Sequence, residues 1–275
     1  MSRSSWIINI YQRFFIKRRF YRLNKLIFNL SLRGLGILNF ENDQLSGENY
    51  FLRHLMTGRN QFKNFVVLDV GANIGSYSNK IKKLSPSAEI YAFEPHPITY
   101  QRLRDEASKY GYRAFNLGCG SETGNLKLYD YKDNLEGTQH ASIHKDVIEK
   151  IHCSASTEWD IQVTTLDSFL TEQKIAHVDL LKIDTEGHEL STLMGCRKSI
   201  EDQMIDIIQF EFNEMNVVSK VFFRDFYELL PNYSFYRMMP DGYLPINIYS
   251  PMFCEIFAYQ NIIAIQQGCS LLGKI

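Results

Sequence analysis

The chain has 275 residues, 45% apolar and 22% charged, with a net charge of −1. That length suits one large α/β domain with an extension, or two small domains, and the apolar share excludes a disordered chain. The near-zero charge argues against nucleic-acid binding through bulk electrostatics, and no apolar run reaches the ~18 residues needed to span a bilayer.

The first elements in chain order are basic. Residues 6–33 predict a single helix whose apolar face carries Ile7, Ile10, Phe14, Tyr21 and the Lys25 stem. Residues 1–40 hold Arg3, Arg13, Lys17, Arg18, Arg19, Arg22, Lys25 and Arg33 and no acid, so the rest of the chain carries −9 against the total of −1. Arg13 and the cluster Lys17 to Arg19 break the apolar stretches, which excludes a signal peptide. Gly34, Gly36 and Gly47 end the pattern, and residues 48–58 predict a short helix. These signals divide the chain into a basic helical extension, residues 1–60, and a main domain, residues 61–275.

The main domain alternates. Residues 65–71, 88–95 and 112–118 read as strands, separated by helices over 76–84 and 97–110, with Pro97 suited to a first helical turn. Residues 125–131 alternate like a half-exposed edge strand, and 132–158 read as a long loop. Residues 161–170 predict a strand running into a helix. A buried strand follows at 178–184, a helix at about 187–200, a strand at 205–213, a helix at 219–230, and two or three strands in 233–265. Strands alternating with helices imply a mostly parallel sheet covered on both faces. The five cysteines have no two-residue spacing and are odd in number, which reads as scattered reduced thiols in a cytoplasmic protein.

Two motifs carry chemistry. In "LDVGANIGSYS", Asp69 closes a buried strand, and Gly71 and Gly75 bracket a tight turn into a helix. Glycines there let a ligand approach the backbone, and the helix start offers free N–H groups. Asn73 stands within G-A-N-I-G, so the dinucleotide pattern G-x-G-x-x-G is absent and a ligand without a pyrophosphate suits the turn better. In "AFEPHP", Glu94 ends the second strand 25 residues after Asp69, where a carboxylate can accept hydrogen bonds from two ribose hydroxyls. Pro95 then turns the chain.

The strings "LDVGANIGSYS", "AFEPHP", "VTTLDSFL" and "LLKIDTEGHEL" resemble the FkbM-type family of S-adenosylmethionine-dependent methyltransferases over about residues 65–215. The resemblance implies a Rossmann-like, seven-stranded class I methyltransferase sheet, mostly parallel with an antiparallel last strand, here with a helical extension before it. It implies S-adenosyl-L-methionine as cofactor and O-methylation of a sugar, glycan or natural product. The candidate cofactor residues are Asp69, Gly71, Ala72, Asn73, Gly75, Glu94, Pro95, Gly118 and Asp184.

The catalytic candidates are Lys182, Asp184, Glu186 and His188, because a hydroxyl acceptor must lose its proton as it attacks. Asp184 is expected near the methyl group. Lys182 equally suits a buried ion pair with Asp184 or Glu211, Glu186 suits a helix start, and His188 suits a helix surface. Asp184, Glu211 and Asn213 would suit Mg²⁺ as a minority reading, so no metal is assigned. The histidines of 132–158 are read as loop residues. The rivals are a nicotinamide-dependent oxidoreductase and an inactive methyltransferase-like binding protein. Expected partners are a small-molecule or glycan acceptor and no nucleic acid. The basic segment 6–33 is expected to dock on the acidic body, on a second subunit of a homo-oligomer, on an anionic membrane or on an anionic acceptor.

Overall fold

The computed structural model describes residues 3–57, 65–132 and 141–269. In chain order its helices and strands begin with α1 (Arg3–Phe15), α2 (Tyr21–Gly34) and α3 (Glu48–Thr57). There follow β1 (Val66–Val70), α4 (Ser76–Leu84), β2 (Glu89–Phe93), α5 (Pro97–Tyr110), β3 (Arg113–Phe115), β4 (Gly118–Cys119) and β5 (Gly124–Tyr131). A π-helical turn at Val147–Ile151 leads to β6 (Ser156–Thr164), α6 (Leu166–Gln173), β7 (Val178–Ile183), α7 (Glu189–Met194), α8 (Arg197–Glu201) and β8 (Ile205–Phe212). The last elements are α9 (Met215–Ser219), α10 (Phe223–Leu229), β9 (Tyr233–Met239), β10 (Gly242–Ile246), α11 (Pro251–Cys254) and β11 (Gln260–Gln266).

The main sheet has eight strands in the order β10-β9-β11-β8-β7-β1-β2-β3, one more than expected. β3, β2, β1, β7 and β8 run parallel, and β11 enters antiparallel between β8 and β9. The additional strand is β10, an antiparallel hairpin partner of β9 at the sheet edge. A second, three-stranded sheet, β4-β6-β5, lies apart from the first. The expected strand at 112–118 is therefore two strands: β3 belongs to the main sheet and β4 to the small one. The loop expected over 132–158 ends at β6, which begins at Ser156 to pair with β5. Residues 133–140 of it lie outside the described residues.

Alternation along the strands sorts two cores. Leu68, Leu181, Ile208 and Phe210 face one side with Phe169 and Phe226, where the Phe210 and Phe226 rings stack at 4.5 Å. Val67, Leu180, Ile207 and Ile263 face the other side with Phe51 and Leu55 of α3 and Ile81 of α4. Phe51 and Leu55 are fully buried, so truncating either to Ala costs about 2–5 kcal/mol. The expected boundary near residue 60 lies outside the described residues, but packing against the sheet already begins before it, at Leu32, Ile37 and α3.

Two helices expected as continuous are broken, and a third is shorter than expected. The helix over 6–33 is α1 and α2, because Asn24 turns back on α1. Its Nδ2 donates to the Phe15 carbonyl at 3.0 Å and its Oδ1 accepts from the Tyr11 hydroxyl, while a 3₁₀ turn at Arg18–Phe20 makes the elbow. The helix over 187–200 is α7 and α8, parted at Gly195. A Cβ built on Gly195 would lie 2.0 Å from the Gly120 carbonyl, so the chain bends where it touches the next segment. The helix over 219–230 is α10, which starts later, at Phe223, after Lys220 takes the left-handed φ of 57° at the end of α9.

Candidate active site

A cavity of about 560 Å³ opens at the carboxyl ends of β1, β2, β7 and β8 and is roofed by Leu128, Ile161 and Val163 of the small sheet. Of the residues expected at the site, Gly71, Ala72, Asn73, Glu94, Pro95, Gly118, Lys182, Asp184, Glu186 and His188 line it. Asp69 and Gly75 do not. Asp69 is fully buried behind the wall, accepting from Ser78 Oγ at 2.6 Å, and Gly75 is the left-handed cap at the start of α4.

The β1–β2 end is held mainly by backbone. Gly71 and Ala72 both donate from N–H to the Phe93 carbonyl, at 3.0 and 2.9 Å. Gly71 has φ 77°, and a Cβ there would stand 1.7 Å from the Asp184 carbonyl, so the turn requires glycine for its contact with β7 as well as for its shape. A larger side chain at 71 would therefore disturb the strand ends themselves and not the ligand surface alone. Asn73 takes φ 51°, which Asn tolerates better than most residues. The Glu94 carboxylate accepts from Asn73 N–H at 3.0 Å through Oε2 and from His96 N–H at 2.8 Å through Oε1. Each oxygen keeps a further lone pair. Burial pushes the Glu94 pKa up to about 7 against the pull of these two N–H groups, and Asp130 and Asp184 add to the rise.

The β7–β8 end is a layer of charged and polar side chains. Register places Asp69 beside Lys182 and Lys182 beside Gln209 on three neighbouring strands, all on one face. Lys182 Nζ donates to Asp184 Oδ2 at 2.9 Å and lies 5.0 Å from the centre of the Tyr77 ring. The Tyr77 hydroxyl donates to Gln209 Oε1 at 2.5 Å, and Gln209 Nε2 donates to Glu48 Oε1 at 3.0 Å. Burial alone would lower the Lys182 pKa, but Asp184, Asp69 and Glu48 outweigh it and hold the ammonium above its ordinary value. Burial raises the carboxyls of Asp69 and Glu48, with Lys182 opposing. Glu211 rises well above the usual carboxylate range, because it is buried and faces Asp184 and Glu186.

The "TEGHE" turn beyond β7 is stitched by Glu189. Its Oε1 accepts from Thr185 N–H at 3.1 Å and Gly187 N–H at 3.0 Å, and Glu186 has φ 51°. Burial pushes the Glu189 pKa up to about 7. Burial, aided by His144, lowers His188 to about 4, so its imidazole is neutral at ordinary pH. His188 Nε2 has no hydrogen-bond partner among the described residues.

Sequence reasoning missed Phe40, Asp43, Glu48, Tyr77, Lys80 and Tyr259, which also line the cavity. Their only signal is position: the glycine-rich segment after α2 crosses the mouth, and Lys80 forms a close ion pair with Asp43 across it. Among the described residues, His177, Asp179 and Asp206 are the one group close enough to share a metal ion, away from this cavity. Asp184, Glu211 and Asn213 all line the cavity, and Asn213 Nδ2 donates to Glu211 Oε2 at 3.2 Å.

The lining includes the carboxylates of Asp43, Glu48, Glu94, Asp184, Glu186, Glu211 and Glu214 against the ammonium groups of Lys80 and Lys182. That surplus opposes an anionic ligand and favours a cationic one.

Comparison with known proteins places this geometry. The methyltransferase FkbM domain matches residues 69–236. The chain is similar to methyltransferase sdnD of Sordaria araneosa, with 31% identity over 172 residues, covering 53% of this chain and 65% of that protein. It is similar to hexuronic acid methyltransferase AglP of Haloferax volcanii, with 27% identity, covering 60% and 63%. It is also similar to 2-O-methyltransferase NoeI of Sinorhizobium fredii, with 23% identity, covering 64% and 75%. The chain thus spans just under two thirds of the first two of these relatives.

Proposed function

Because this chain belongs to the methyltransferase FkbM domain family, and so is a methyltransferase, we propose that it is an S-adenosyl-L-methionine-dependent O-methyltransferase acting on a hydroxyl of a sugar, glycan or natural product. The observation that carries the reading is the cavity's charge. Seven acidic side chains and two lysines line it, and even with Glu48, Glu94 and Glu211 protonated, Asp43, Asp184, Glu186 and Glu214 outnumber Lys80 and Lys182. S-adenosylmethionine, whose sulfonium and ammonium outweigh its one carboxylate, suits that field, whereas the pyrophosphate of a nicotinamide cofactor does not.

The residues present fit such a cofactor. Glu94 offers two carboxylate oxygens, each already aimed by one backbone N–H, to a ribose diol. When bound, the cofactor supplies an electrophilic methyl group on sulfur. The chain's own part is to hold the acceptor hydroxyl in line with it and to take its proton. Asp184, fixed by Lys182, is suited to orient the hydroxyl. Glu211 is suited to take the proton, because burial has raised its proton affinity toward that of a useful base. The small sheet covers the site and limits water. Two relatives support the acceptor class: AglP is a hexuronic acid methyltransferase and NoeI a 2-O-methyltransferase.

Titration calorimetry with S-adenosylhomocysteine and with NAD tests the reading. Saturable binding of S-adenosylhomocysteine and none of NAD is expected, and the reverse result would overturn it.

A further inference from the structure

The basic segment before residue 35 does not dock on the acidic body. Of α2, only Leu32 is buried. Trp6, Ile7 and Phe14 of α1 are exposed by 67%, 61% and 52%. In α2, Leu23, Leu26, Ile27 and Leu30 recur at the i, i+3, i+4, i+7 spacing of a core-facing stripe, and all four face solvent. Among the described residues, Arg13, Lys17, Arg18, Arg19, Arg22 and Lys25 have no ion pair with any acid. Only at its root does the arm meet the body's acids, where Arg33 pairs with Glu41, so the rest of this tethered basic helix pair is shaped for another surface.

We propose that α1 and α2 form a membrane anchor that lies in the headgroup layer of an anionic bilayer, with its apolar stripes inserted and its basic residues on lipid phosphates. No helix among the described residues is long and apolar enough to cross a membrane, which leaves the in-plane arrangement. Charge selects this occupant over a second copy of the arm, since pairing two arms would bring together positive charges with no acid between them. Another exposed apolar group adjoins the root of the arm. Gly36 packs against Arg237, whose guanidinium donates to the Phe253 carbonyl, and Met252 and Phe253 are exposed. Phe40 on the cavity wall follows the buried Leu32 by eight residues, so the anchor's root and the cavity mouth are at most ~28 Å apart.

The test is co-sedimentation of the full chain with vesicles of phosphatidylcholine, and of phosphatidylcholine mixed equally with phosphatidylglycerol. Pelleting is expected with the anionic vesicles and not the neutral ones, and it should fall as salt rises from about 0.1 to about 1 M. Replacing Arg18, Arg19 and Arg22, all exposed, by Glu should lower the partition coefficient by at least roughly 100-fold, at roughly fivefold per basic residue lost. Calorimetry on the same preparations should show unchanged S-adenosylhomocysteine affinity, which separates loss of anchoring from misfolding or from failure of the methyltransferase reading. Equal pelleting of native and reversed chains, or none of either, overturns the proposal. So does a dimer in light scattering that Leu23→Ser with Leu26→Ser dissociates, which would give the stripe to a second copy.

Discussion

The two ends of the cavity are built by different means. At the β1–β2 end, a turn over residues 71–75 and two N–H groups fix one carboxylate, Glu94, and the participants are neighbours in the chain or on adjacent strands. At the β7–β8 end, side chains from α3, α4, β1, β7 and β8 surround one ammonium, with partners such as Tyr77 and Gln209 separated by 132 residues. Backbone donors change little when one side chain is altered. A charge cluster is a balance in which each member sets the proton affinity of the others. The first end therefore suits holding a cofactor, and the second suits chemistry.

The sharpest division is expected from Asp184→Asn. The amide keeps the shape but removes the charge that Lys182 pairs with. Methyl transfer should fall by at least ~100-fold, the scale of a positioned acid–base group, while S-adenosylhomocysteine affinity in calorimetry stays within a few-fold. A variant that loses both equally would show that the two ends act as one.

Glu94→Ala probes the other end and should weaken S-adenosylhomocysteine by ~1.5–3 kcal/mol, the range for a hydrogen bond to a charged group. A pH series sharpens it. Ribose hydroxyls donate to the ionised carboxylate, so binding favours the deprotonated form of a group whose pKa stands at about 7. Affinity should thus rise between about pH 5.5 and about pH 8.5 and then level off, with a proton released on binding. The slope should vanish in the Ala variant. If it persists there, another group carries it, and Glu189, also near 7, is the first to examine.

How much of this was legible in the sequence follows the same division. The glycine turn and Glu94 are local signals, since a strand of apolar residues ending in Gly or Glu-Pro states its own geometry. That β1, β2, β7 and β8 run parallel came with the strand–helix alternation. Glu48 and Tyr77 were illegible, because nothing in α3 or α4 says which strand residues they will meet. Asp69 reads as a ligand-facing acid but is held by Ser78 behind the wall, a matter of side-chain direction that strand periodicity alone does not settle. Whether 233–265 holds two strands or three stayed open, because "GYLPI" of β10 carries a proline, tolerable only on an edge strand. The breaks at Asn24 and Gly195 depend on tertiary contacts.

The smallest expected effect lies inside the charge cluster and has an unusual sign. Glu211 is half-buried on the cavity wall near Asp184 and Glu186, and its folded pKa is raised well above that of an unfolded glutamate. A carboxyl shifted upward contributes stability that is fully present below the unfolded pKa and is lost as pH rises through the folded value. Above that value the folded chain carries a desolvated carboxylate offset by the Lys182 ammonium and the Asn213 amide. Glu211→Gln removes the charge and keeps an oxygen that can accept from Asn213 Nδ2, at 3.2 Å in the native chain. The variant should melt roughly 2–4 °C higher than the native chain at about pH 8, and by less at about pH 5, where the native carboxyl is already protonated. Asp184→Asn should move the opposite way, because it leaves the Lys182 ammonium buried with its nearest partner gone. If Glu211 takes the acceptor's proton, the more stable variant is also the slower enzyme. Melting curves at both pH values decide the first part, and a lower melting temperature for Glu211→Gln at the higher pH would show that Lys182 already balances Glu211 and that the cluster holds no strain there.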